Sequence, residues 1–422
     1  MEPRPLFLNM GENTMKQARS FPKITVTPKA ERSVLAGHPW IYHTELLSAD
    51  AYQNGGMVDV FSARGAYLGT GFINDHSKIR VRLVSRSAND IFDPAFWEHR
   101  LRYAWEYRKA VMGEDVSCCR VIFGEADSFP GLTADLFRNI LVTQTLSLGM
   151  ERLKPILFPL LARILTEDGH RVDGIYERND VAIRALEGME QNKGFFPLEG
   201  VPLPEETKTE IAENGVRYLV DYENGQKTGF FLDQKYNRRA AARLCRGRRV
   251  LDCFTDTGSF ALNAALAGAE HVHAVDISAG AIAAAEANTR LNGLQDRVDF
   301  EVANVFDLLP QLAEHAKHEY DVVILDPPAF TKSRKTVQSA ERGYKEINYR
   351  AMKLLPRGGY LATCSCSHFM TEELFREMLR SAAADAQVSL RQIEARQQAP
   401  DHPVLWNVPE TKYLKFYLFQ VV

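Results

Sequence analysis

Hydrophobic residues in the first ninety positions form short runs separated by glycines, which is typical of a small β-structure. These strands are predicted at 23–27, 56–62, 67–72 and 79–84. Alternation around the last run would place three apolar side chains on one face and three cations on the other. The apolar residues are Ile79, Val81 and Leu83, and the cations are Lys78, Arg80 and Arg82.

The middle of the chain carries helical and strand patterns in mixed order. Trp97, Leu101 and Trp105 recur at four-residue spacing within a helix predicted over 95–112, and we expect this stripe to lie in a core. Further strands are predicted at 140–146, 174–177 and 216–221, and a further helix at 151–166. The pattern indicates a small α/β domain.

After position 230, apolar runs short enough for buried strands alternate with helical patterns, which indicates a parallel sheet covered by helices. The strands are predicted at 250–253, 271–276, 298–302, 320–325, 359–366, 390–395 and 413–421. Helices are predicted at 234–244, 259–267 and 279–291, with Asp233 and Ser278 as N-caps of the first and the last. The fold class is therefore α/β, with a Rossmann-like seven-stranded sheet in the C-terminal part.

Changes in these patterns divide the 422 residues into four segments. They are a flexible extension at 1–20, a β-barrel domain at 21–92, a central α/β domain at 93–222 and the Rossmann-like domain at 223–422. The six cysteines lack paired metal-type spacing, so we expect no metal site, no disulfide framework and a reducing, cytoplasmic location. The longest apolar stretch, around 156–165, is too short to span a membrane.

The stretch from Val250 to Phe260 has the pattern of a strand, a tight turn and the start of a helix. This arrangement presents backbone amides to a nucleotide-like ligand. Gly258 is the one glycine in the turn, so the three-glycine dinucleotide fingerprint is absent. A ligand without phosphates fits better, and we expect S-adenosylmethionine (SAM).

Polar residues follow the next strands where they could bind that cofactor. Asp276 ends the second strand, where a carboxylate can accept from both ribose hydroxyls, and Asn304 follows the third, near the expected adenine edge. A segment at 223–238, rich in glycine and aromatics, is expected to fold over the cofactor. The cofactor-binding set is Phe231, Asp233, Asp252, Phe254, Thr255, Thr257, Gly258, Ser259, Asp276, Ile277, Asn304, Val305 and Asp326.

Cys364 and Cys366 end a predicted strand whose carboxyl end should share a crevice with Asp326-Pro327-Pro328. Carbon 5 of a pyrimidine is too weak a nucleophile to take a methyl group unaided, but a thiolate added to carbon 6 activates it. Asp326 could then hydrogen-bond or protonate the ring nitrogen. We expect Cys366 to be the nucleophile, with Cys364 as the alternative or as a packing neighbour.

Clustered cations indicate where an RNA could bind, because a net charge of −3 gives no global basic field. One cluster is the stripe of three cations described above, and the other follows the Asp326 loop. The second cluster is Lys332, Arg334 and Lys335. The first segment also resembles a PUA domain, an RNA-binding module. The motifs behind this resemblance are Gly37-His38-Pro39-Trp40, Gly69-Thr70-Gly71-Phe72 and Ser77-Lys78-Ile79-Arg80-Val81-Arg82.

From about position 21 onward the chain resembles the RlmI-type family of large-subunit ribosomal RNA methyltransferases. The motifs that carry this resemblance are Gly37-His38-Pro39-Trp40, Gly124-Glu125-Ala126-Asp127, Pro130-Gly131-Leu132, the run from Gly225 to Gln234, Asp252-Cys253-Phe254, Thr257-Gly258, Asp326-Pro327-Pro328 with Phe330, and Ser365-Cys366-Ser367. The family implies a PUA domain, a central α/β domain and a SAM-dependent methyltransferase domain that modifies carbon 5 of a cytosine in 23S rRNA. It also implies Cys366 as the nucleophile.

Three positions depart from the family's pattern and could alter SAM affinity. Asn304 stands where aspartate is more frequent, Asp256 stands where tyrosine is frequent, and Lys235 replaces a common arginine. The expected partner is large-subunit ribosomal RNA, with no membrane, and the oligomeric state stays open, a homodimer included.

Two other functions fit part of the sequence. An RNA N-methyltransferase can also carry an Asp-Pro-Pro-x-Phe motif, and such an enzyme needs no thiol. An RNA-binding ribosome assembly factor could keep the fold without turnover. Activity after loss of Cys366 would favour the first, and failure to bind SAM would favour the second.

Overall fold

The computed structural model describes residues 20–331 and 333–422, which form two compact units. One unit contains the described residues up to 113, Arg120–Glu205 and the short segment Leu405–Pro409. The other contains Glu114–Cys119, Glu206–Val404 and Glu410–Val422. The extension predicted at 1–20 lies outside the described residues, apart from Ser20.

A six-stranded sheet opens the first unit, with strand order β2-β6-β5-β4-β1-β3. Its elements are β1 (Lys23–Val26), α1 (Pro28–Leu35), β2 (Trp40–Tyr42), β3 (Leu46–Ala49), β4 (Met57–Ser62), β5 (Tyr67–Ile73) and β6 (Ile79–Ser85). The alternation expected in β6 is confirmed, because Val81 and Leu83 are buried. Helix α1 was not predicted. Thr27 caps it by accepting from the amide of Ala30 at 3.3 Å, and Pro28 stands in its first turn.

The central part of the first unit is a five-stranded sheet with order β11-β10-β9-β8-β7. Its elements are α2 (Pro94–Met112), β7 (Cys118–Phe123), β8 (Leu132–Phe137), β9 (Ile140–Thr145), α3 (Leu148–Glu167), β10 (Gly174–Arg178) and β11 (Lys193–Phe196). The stripe of Trp97, Leu101 and Trp105 is buried, as expected for a helix face that packs into a core.

The second unit contains a two-stranded hairpin and a seven-stranded sheet with order β16-β15-β14-β17-β18-β20-β19. The hairpin is β12 (Lys208–Glu213) and β13 (Val216–Asp221). The sheet strands are β14 (Arg249–Cys253), β15 (His271–Asp276), β16 (Val298–Val302), β17 (Val322–Leu325), β18 (Tyr360–Ser365), β19 (Leu390–Arg396) and β20 (Lys415–Val421). The helices are α4 (Lys235–Ala242), α5 (Ser259–Leu266), α6 (Ala279–Asn292), α7 (Val305–His315), α8 (Val337–Leu354) and α9 (Glu372–Ala386).

The order of the parallel strands creates a crevice at one edge of this sheet. From β14 the chain moves outward through β15 to β16, and it then returns to place β17 on the other side of β14. The loops after β14 and β17 therefore leave in opposite directions, which is the switch point where open α/β sheets bind ligands. The seven-stranded sheet expected from the sequence is confirmed.

Some details differ from the sequence expectations. Asp233 does not cap α4. The N-cap position is Gln234, which makes no capping bond, and the Asp233 carboxylate instead accepts from the hydroxyl of Tyr413 at 2.5 Å. The cap by Ser278 is confirmed, because its hydroxyl accepts from the amide of Ala281 at 3.2 Å.

The hairpin lies before the predicted boundary at position 223, yet it belongs to the second unit. It contacts helix α6 through the amide of Leu219, which donates to Asn288 at 2.9 Å, and through Asn292, which donates to the carbonyl of Arg217 at 2.7 Å. Among the residues that the structure describes, no helix is long and apolar enough to cross a membrane.

One buried ion pair joins the hairpin to the segment that precedes the sheet. Arg238 and Glu213 are both almost fully buried and hydrogen-bond to each other. Arg238 also donates to the carbonyl of Phe231, so the same guanidinium holds the segment expected to cover the cofactor. Removing one member of such a pair leaves an uncompensated charge in a dry site.

Replacing Arg238 by methionine keeps much of the side-chain volume but leaves Glu213 without its partner. We expect R238M to lower the free energy of unfolding by about 3–5 kcal/mol in urea titrations followed by circular dichroism. Its exposed neighbour Arg239 is the matched control, and R239M should cost less than about 1 kcal/mol. Equal stability of the two variants would contradict a supporting role for the buried pair.

Candidate active site

The polar residues expected at the strand ends meet at the switch point because the parallel strands are in register. Cys253 at the end of β14 pairs with Val275 of β15 and with Leu325 of β17. Leu325 in turn pairs with Thr363 of β18. The residues that follow each strand therefore leave the sheet at the same level, and these include the acids after β14 and β17.

The buried carboxylate of Asp252 stabilises the loop after β14 by hydrogen bonds. One carboxylate oxygen of Asp252 accepts from the Thr255 hydroxyl at 2.6 Å and from the amide of Ala261 at 2.9 Å. Gly258 adopts a φ of +82°, a region that suits glycine. Asp256 also has a positive φ, of +49°, which is uncommon for a residue with a side chain. The loop after β14 thus forms a tight turn whose backbone packs next to the buried carboxylate of Asp252.

Asp276 connects the ends of β15 and β14. One of its carboxylate oxygens accepts from the amide of Asp256 at 3.0 Å, and the other accepts from the amide of Ser278 at 2.9 Å. Each oxygen keeps a further lone pair for a ligand. The next residue, Ile277, is 71% exposed and presents an apolar surface beside the carboxylate. This combination suits a ribose and the adenine attached to it.

Asn304 begins α7 as its N-cap. Its side-chain oxygen accepts from the amide of Phe306 at 3.1 Å, and its amide group donates to Asp307 at 2.9 Å. The side chain is exposed, but these two bonds already orient it. Val305 is buried, so its contact with a cofactor would come from the backbone.

The segment at 223–238, which the sequence predicts to cover the cofactor, contacts the β14 loop through one hydrogen bond. Gln226 donates to the carboxylate of Asp256 at 3.3 Å. The ammonium group of Lys227 lies 4.7 Å from the centroid of the Phe231 ring. Asp233 belongs to the same segment and accepts a hydrogen bond from Tyr413, which precedes β20.

Asp326 forms a hydrogen-bonded group with Gln234 and Cys364. One oxygen of Asp326 accepts from the Gln234 amide at 3.0 Å and from the Cys364 thiol at 2.9 Å. Gln234 also approaches the Cys364 sulfur at 3.3 Å. No described residue hydrogen-bonds to the other Asp326 oxygen, which leaves it for a ligand. Burial raises the pKa of Asp326 above its usual range.

The two cysteines have different environments. Cys364 is 1% exposed and its thiol also donates to the carbonyl of Leu325 at 3.3 Å. Burial and the neighbouring Asp326 raise its pKa well above the usual range. Cys366 is half-buried, and no described residue hydrogen-bonds to its thiol. The structure therefore separates a buried, hydrogen-bonded thiol from a half-buried thiol to which no described residue hydrogen-bonds.

Two lysines oppose the effect of burial on Cys366. Burial raises the pKa of the Cys366 thiol to about 11, whereas the positive charges of Lys227 and Lys415 lower it. Lys415 lies on β20 and donates to the carbonyls of Ser367 at 2.6 Å and Tyr413 at 2.8 Å. Its own pKa is lowered by burial to about 8. Sequence reasoning did not identify Lys415, Lys227 or Gln234 as site residues.

Phe330, which follows the Asp326-Pro327-Pro328 motif, is packed among three other rings. Its centroid lies 4.5 Å from that of Tyr344, 5.6 Å from Phe306 and 6.4 Å from Phe254. The ring is half-buried in this cluster, so one part of it still faces outward. The cluster fixes the loop after Asp326 against helix α8.

The residues expected to bind RNA are not equally available. Arg334 and Lys335 are exposed in a short helical turn, and Lys332 lies outside the described residues. In the first unit Lys78 is exposed, whereas Arg80 pairs with Asp75 at 2.5 Å.

Arg82 makes more contacts within the protein than Lys78 or Arg80 does. It pairs with Glu125 at 3.1 Å and with Glu187 at 2.9 Å, and its guanidinium lies over the Trp40 ring. Its charge is thus used inside the first unit, although its role toward RNA stays a prediction.

The residues around the β14 loop fit SAM. The free oxygen of Asp252 and the hydroxyl of Thr257 are buried without a hydrogen-bond partner among the described residues, and a polar ligand or an ordered water at this loop would supply one. The carboxylate of Asp276 and the exposed Ile277 lie at the next strand end. No group of three or more metal-type ligands occurs in the described part of the chain.

Comparison with known protein families defines the class. Residues 196–420 match the family described as S-adenosylmethionine-dependent methyltransferase, and residues 24–86 match the PUA-like domain. The crystal structure of SMU.776 complexed with SAH has a TM-score of 0.79 at 20% identity, over 94% of this chain and 100% of that one. A second solved structure, of a protein from Streptococcus mutans, has a TM-score of 0.78 at 21% identity and the same coverage. The chain is a SAM-dependent methyltransferase with an N-terminal PUA-like domain.

Closer relatives define the family. Ribosomal RNA large subunit methyltransferase I of Erwinia tasmaniensis is 38% identical over 397 residues, which cover 93% of this chain and 97% of that protein. The protein of the same name from Salmonella gallinarum is 37% identical over 416 residues, covering 98% and 100%. The chain belongs to the ribosomal RNA large subunit methyltransferase I family, which confirms the resemblance seen in the sequence.

The buried carboxyl of Asp252 makes the stability of the protein depend on pH. Burial raises its pKa from 3.8 to about 7, so its stabilising contribution is complete below the unfolded value and is lost as the pH rises through the folded value. Asp252→Asn cannot ionise. Without cofactor, we therefore expect D252N to gain free energy of unfolding relative to wild type as the pH rises from about 4 to about 7.

The comparison requires urea titrations of both proteins across this pH range. Asp296→Asn is the control, because Asp296 is exposed and should leave the pH profile unchanged. Parallel profiles of wild type and D252N would contradict the assignment of a raised pKa to Asp252.

Proposed function

We propose that this protein transfers a methyl group from SAM to carbon 5 of a cytosine in 23S ribosomal RNA through a covalent adduct with Cys366. The observation that carries the proposal is a half-buried thiol after β18, close enough to the Asp326 carboxyl after the adjacent strand β17 for that carboxyl's charge to act on it. The relatives named ribosomal RNA large subunit methyltransferase I support the substrate class.

The reaction begins when the Cys366 thiolate adds to carbon 6 of cytosine, forming an S–C6 bond and moving electron density toward the ring nitrogen. When bound, SAM would supply an electrophilic methyl group on a positively charged sulfonium; the S–CH3 bond would break as the C5–CH3 bond forms, and S-adenosylhomocysteine would be the leaving group. Carbon 5 then carries both the methyl group and its original proton. Loss of that proton and cleavage of the S–C6 bond restore the C5–C6 double bond and release Cys366 as thiolate.

Asp326 suits the role of acid at the ring nitrogen. Burial favours its protonated form, and one of its oxygens has no bond to any described residue. A proton donated as the adduct forms would neutralise the charge that builds on the ring, and general acids of this kind contribute about 10²–10⁴-fold. Gln234 and Cys364 position the carboxyl by binding its other oxygen.

Activation of Cys366 needs more positive charge than its immediate neighbours supply. Lys227 and Lys415 both lower the pKa of the thiol, but burial still leaves it near 11. A sulfonium in the same crevice would lower it further, since an adjacent positive charge favours the thiolate. The thiol would then become reactive chiefly when the cofactor is present, which protects it from unproductive oxidation.

RNA binding is proposed to involve exposed cations of both the methyltransferase domain and the PUA-like domain. Arg334 and Lys335 follow the Asp326 loop, and Lys78 belongs to the PUA-like domain. Each is exposed and can contact phosphates. A cytoplasmic location and a homodimer stay predictions of the same proposal.

The proposal is tested with unmodified 23S rRNA, labelled SAM and nucleoside mass spectrometry. We expect 5-methylcytidine as the product. C366A should lower the rate by roughly 10³-fold or more while SAM affinity, measured by calorimetry, stays unchanged. The matched control is C364A, which should keep a large part of the activity because Cys364 only positions Asp326.

Three results would contradict the proposal in distinct ways. A methylated ring or exocyclic nitrogen, with full activity of C366A, would indicate an N-methyltransferase. Loss of activity in C364A but not in C366A would transfer the nucleophile to Cys364. Failure of the wild-type protein to bind SAM would favour an assembly factor without turnover.

A further inference from the structure

Trp406 is exposed in a way that the other tryptophans are not. Its side chain is 96% exposed, whereas Trp97 and Trp105 are each 1% exposed. Trp40 is held by a hydrogen bond from its indole nitrogen to Glu125 at 2.9 Å. A large aromatic ring in water gains much by covering its faces, which is why such rings are enriched at interaction sites.

The residues on either side of Trp406 line a cavity of about 250 Å³ in the first unit. Leu405 and Asn407 form one wall, and Arg86 and Arg100 also line the cavity. Because consecutive Cα atoms are about 3.8 Å apart, Trp406 must lie at the rim of this cavity. The cavity is lined by residues of the first unit, whereas the methyltransferase crevice belongs to the other unit.

Gly37 lets the two walls of the cavity approach each other. Asn407 donates a side-chain hydrogen bond to the carbonyl of Gly37, which fixes the segment that carries Trp406. A Cβ atom at Gly37 would meet a guanidinium nitrogen of Arg86 at 2.9 Å, and the φ of +101° disfavours other residues as well. Arg86 and the 405–409 segment are therefore close to each other, because both lie against Gly37.

The charge around the cavity is positive. Arg86 is exposed and has no carboxylate partner among the described residues. Arg100 lies 4.4 Å from the Phe96 ring centroid and donates to the carbonyl of Ser128 at 3.4 Å. The negative charge of Asp90 acts on it, but burial has the larger effect and lowers the pKa of the guanidinium. The one carboxylate in the lining, Glu125, is already paired with Arg82.

We propose that Trp406 stacks on an unpaired RNA base whose neighbouring phosphates bind Arg86 and Arg100. Unpaired bases stack on aromatic rings, and cations beside the ring bind the backbone, in many proteins that recognise single-stranded RNA. The pair of arginines favours this ligand over a second copy of the chain, whose net charge is only −3. The inference rests on the proposed RNA substrate and adds a contact within the first unit, whereas methyl transfer belongs to the second unit.

The test measures binding of a labelled, unstructured twelve-nucleotide RNA to the full-length protein by fluorescence anisotropy. We expect W406A to weaken binding roughly tenfold, and W406F to keep most of the affinity because it keeps a stacking face. R86Q should weaken binding and reduce the slope of log affinity against log salt by about one. The matched control is Y103A, since Tyr103 is an aromatic residue of the same unit that is 77% exposed.

Methylation kinetics separate this inference from the proposed function. W406A should raise KM for rRNA, with kcat and SAM affinity unchanged. If the wild type forms 5-methylcytidine and W406A matches it in RNA affinity and KM, the stacking site is overturned and the proposed function stands. If the RNA affinity is unchanged but the wild type sediments as a dimer and W406A as a monomer, the ring contacts another copy and the inference is equally overturned.

Discussion

The register of the parallel strands is the constraint on which the rest of the site depends. Because β14 is in register with both β15 and β17, and β17 with β18, the residues that follow these strands emerge at one level. Asp326 and Cys364 can therefore hydrogen-bond although they are 38 positions apart. A shift of one residue in any of these strands would turn the reactive side chains to the other face of the sheet.

Buried carboxyl groups lower the stability of this part of the protein when they ionise, and they also supply its acid–base chemistry. Burial raises the pKa of Asp252 to about 7 and that of Asp256 to about 6, and it raises the pKa of Asp326 as well. Three such carboxyls close together repel one another when ionised, which raises the electrostatic energy of the site. A ligand that carries hydroxyls and a positive charge relieves this energy, which couples cofactor binding to the stability of the second unit.

Much of the fold could be predicted from the sequence because the strands of the C-terminal sheet are short apolar runs that end in polar residues. Asp252, Asp276 and Asp326 were identified in this way, and the seven-stranded sheet followed from the order of the runs. Helices α7, α8 and α9 were not predicted, although α8 and α9 supply much of the core beside β18.

The parts that could not be predicted depend on contacts between distant positions. Gln234 binds Asp326 across 92 positions, and no local pattern indicates that contact. Asp233 looked like a helix cap because acids often stand before helices, but the tertiary contact with Tyr413 prevailed. The stripe of cations on β6 was visible as a pattern, whereas the pairing of Arg82 with Glu187, 105 positions away, was not.

The central claim is that Cys366 forms a covalent bond to cytosine, and trapping the adduct tests it most directly. When the target cytosine carries fluorine at carbon 5, that position has no proton to lose after methylation, so elimination of the thiol is blocked. Incubation of the protein with SAM and 5-fluorocytidine-containing rRNA should give a complex stable to denaturing electrophoresis, and peptide mass spectrometry should map it to Cys366. Absence of the complex in the wild type, or its persistence in C366A, would contradict the account.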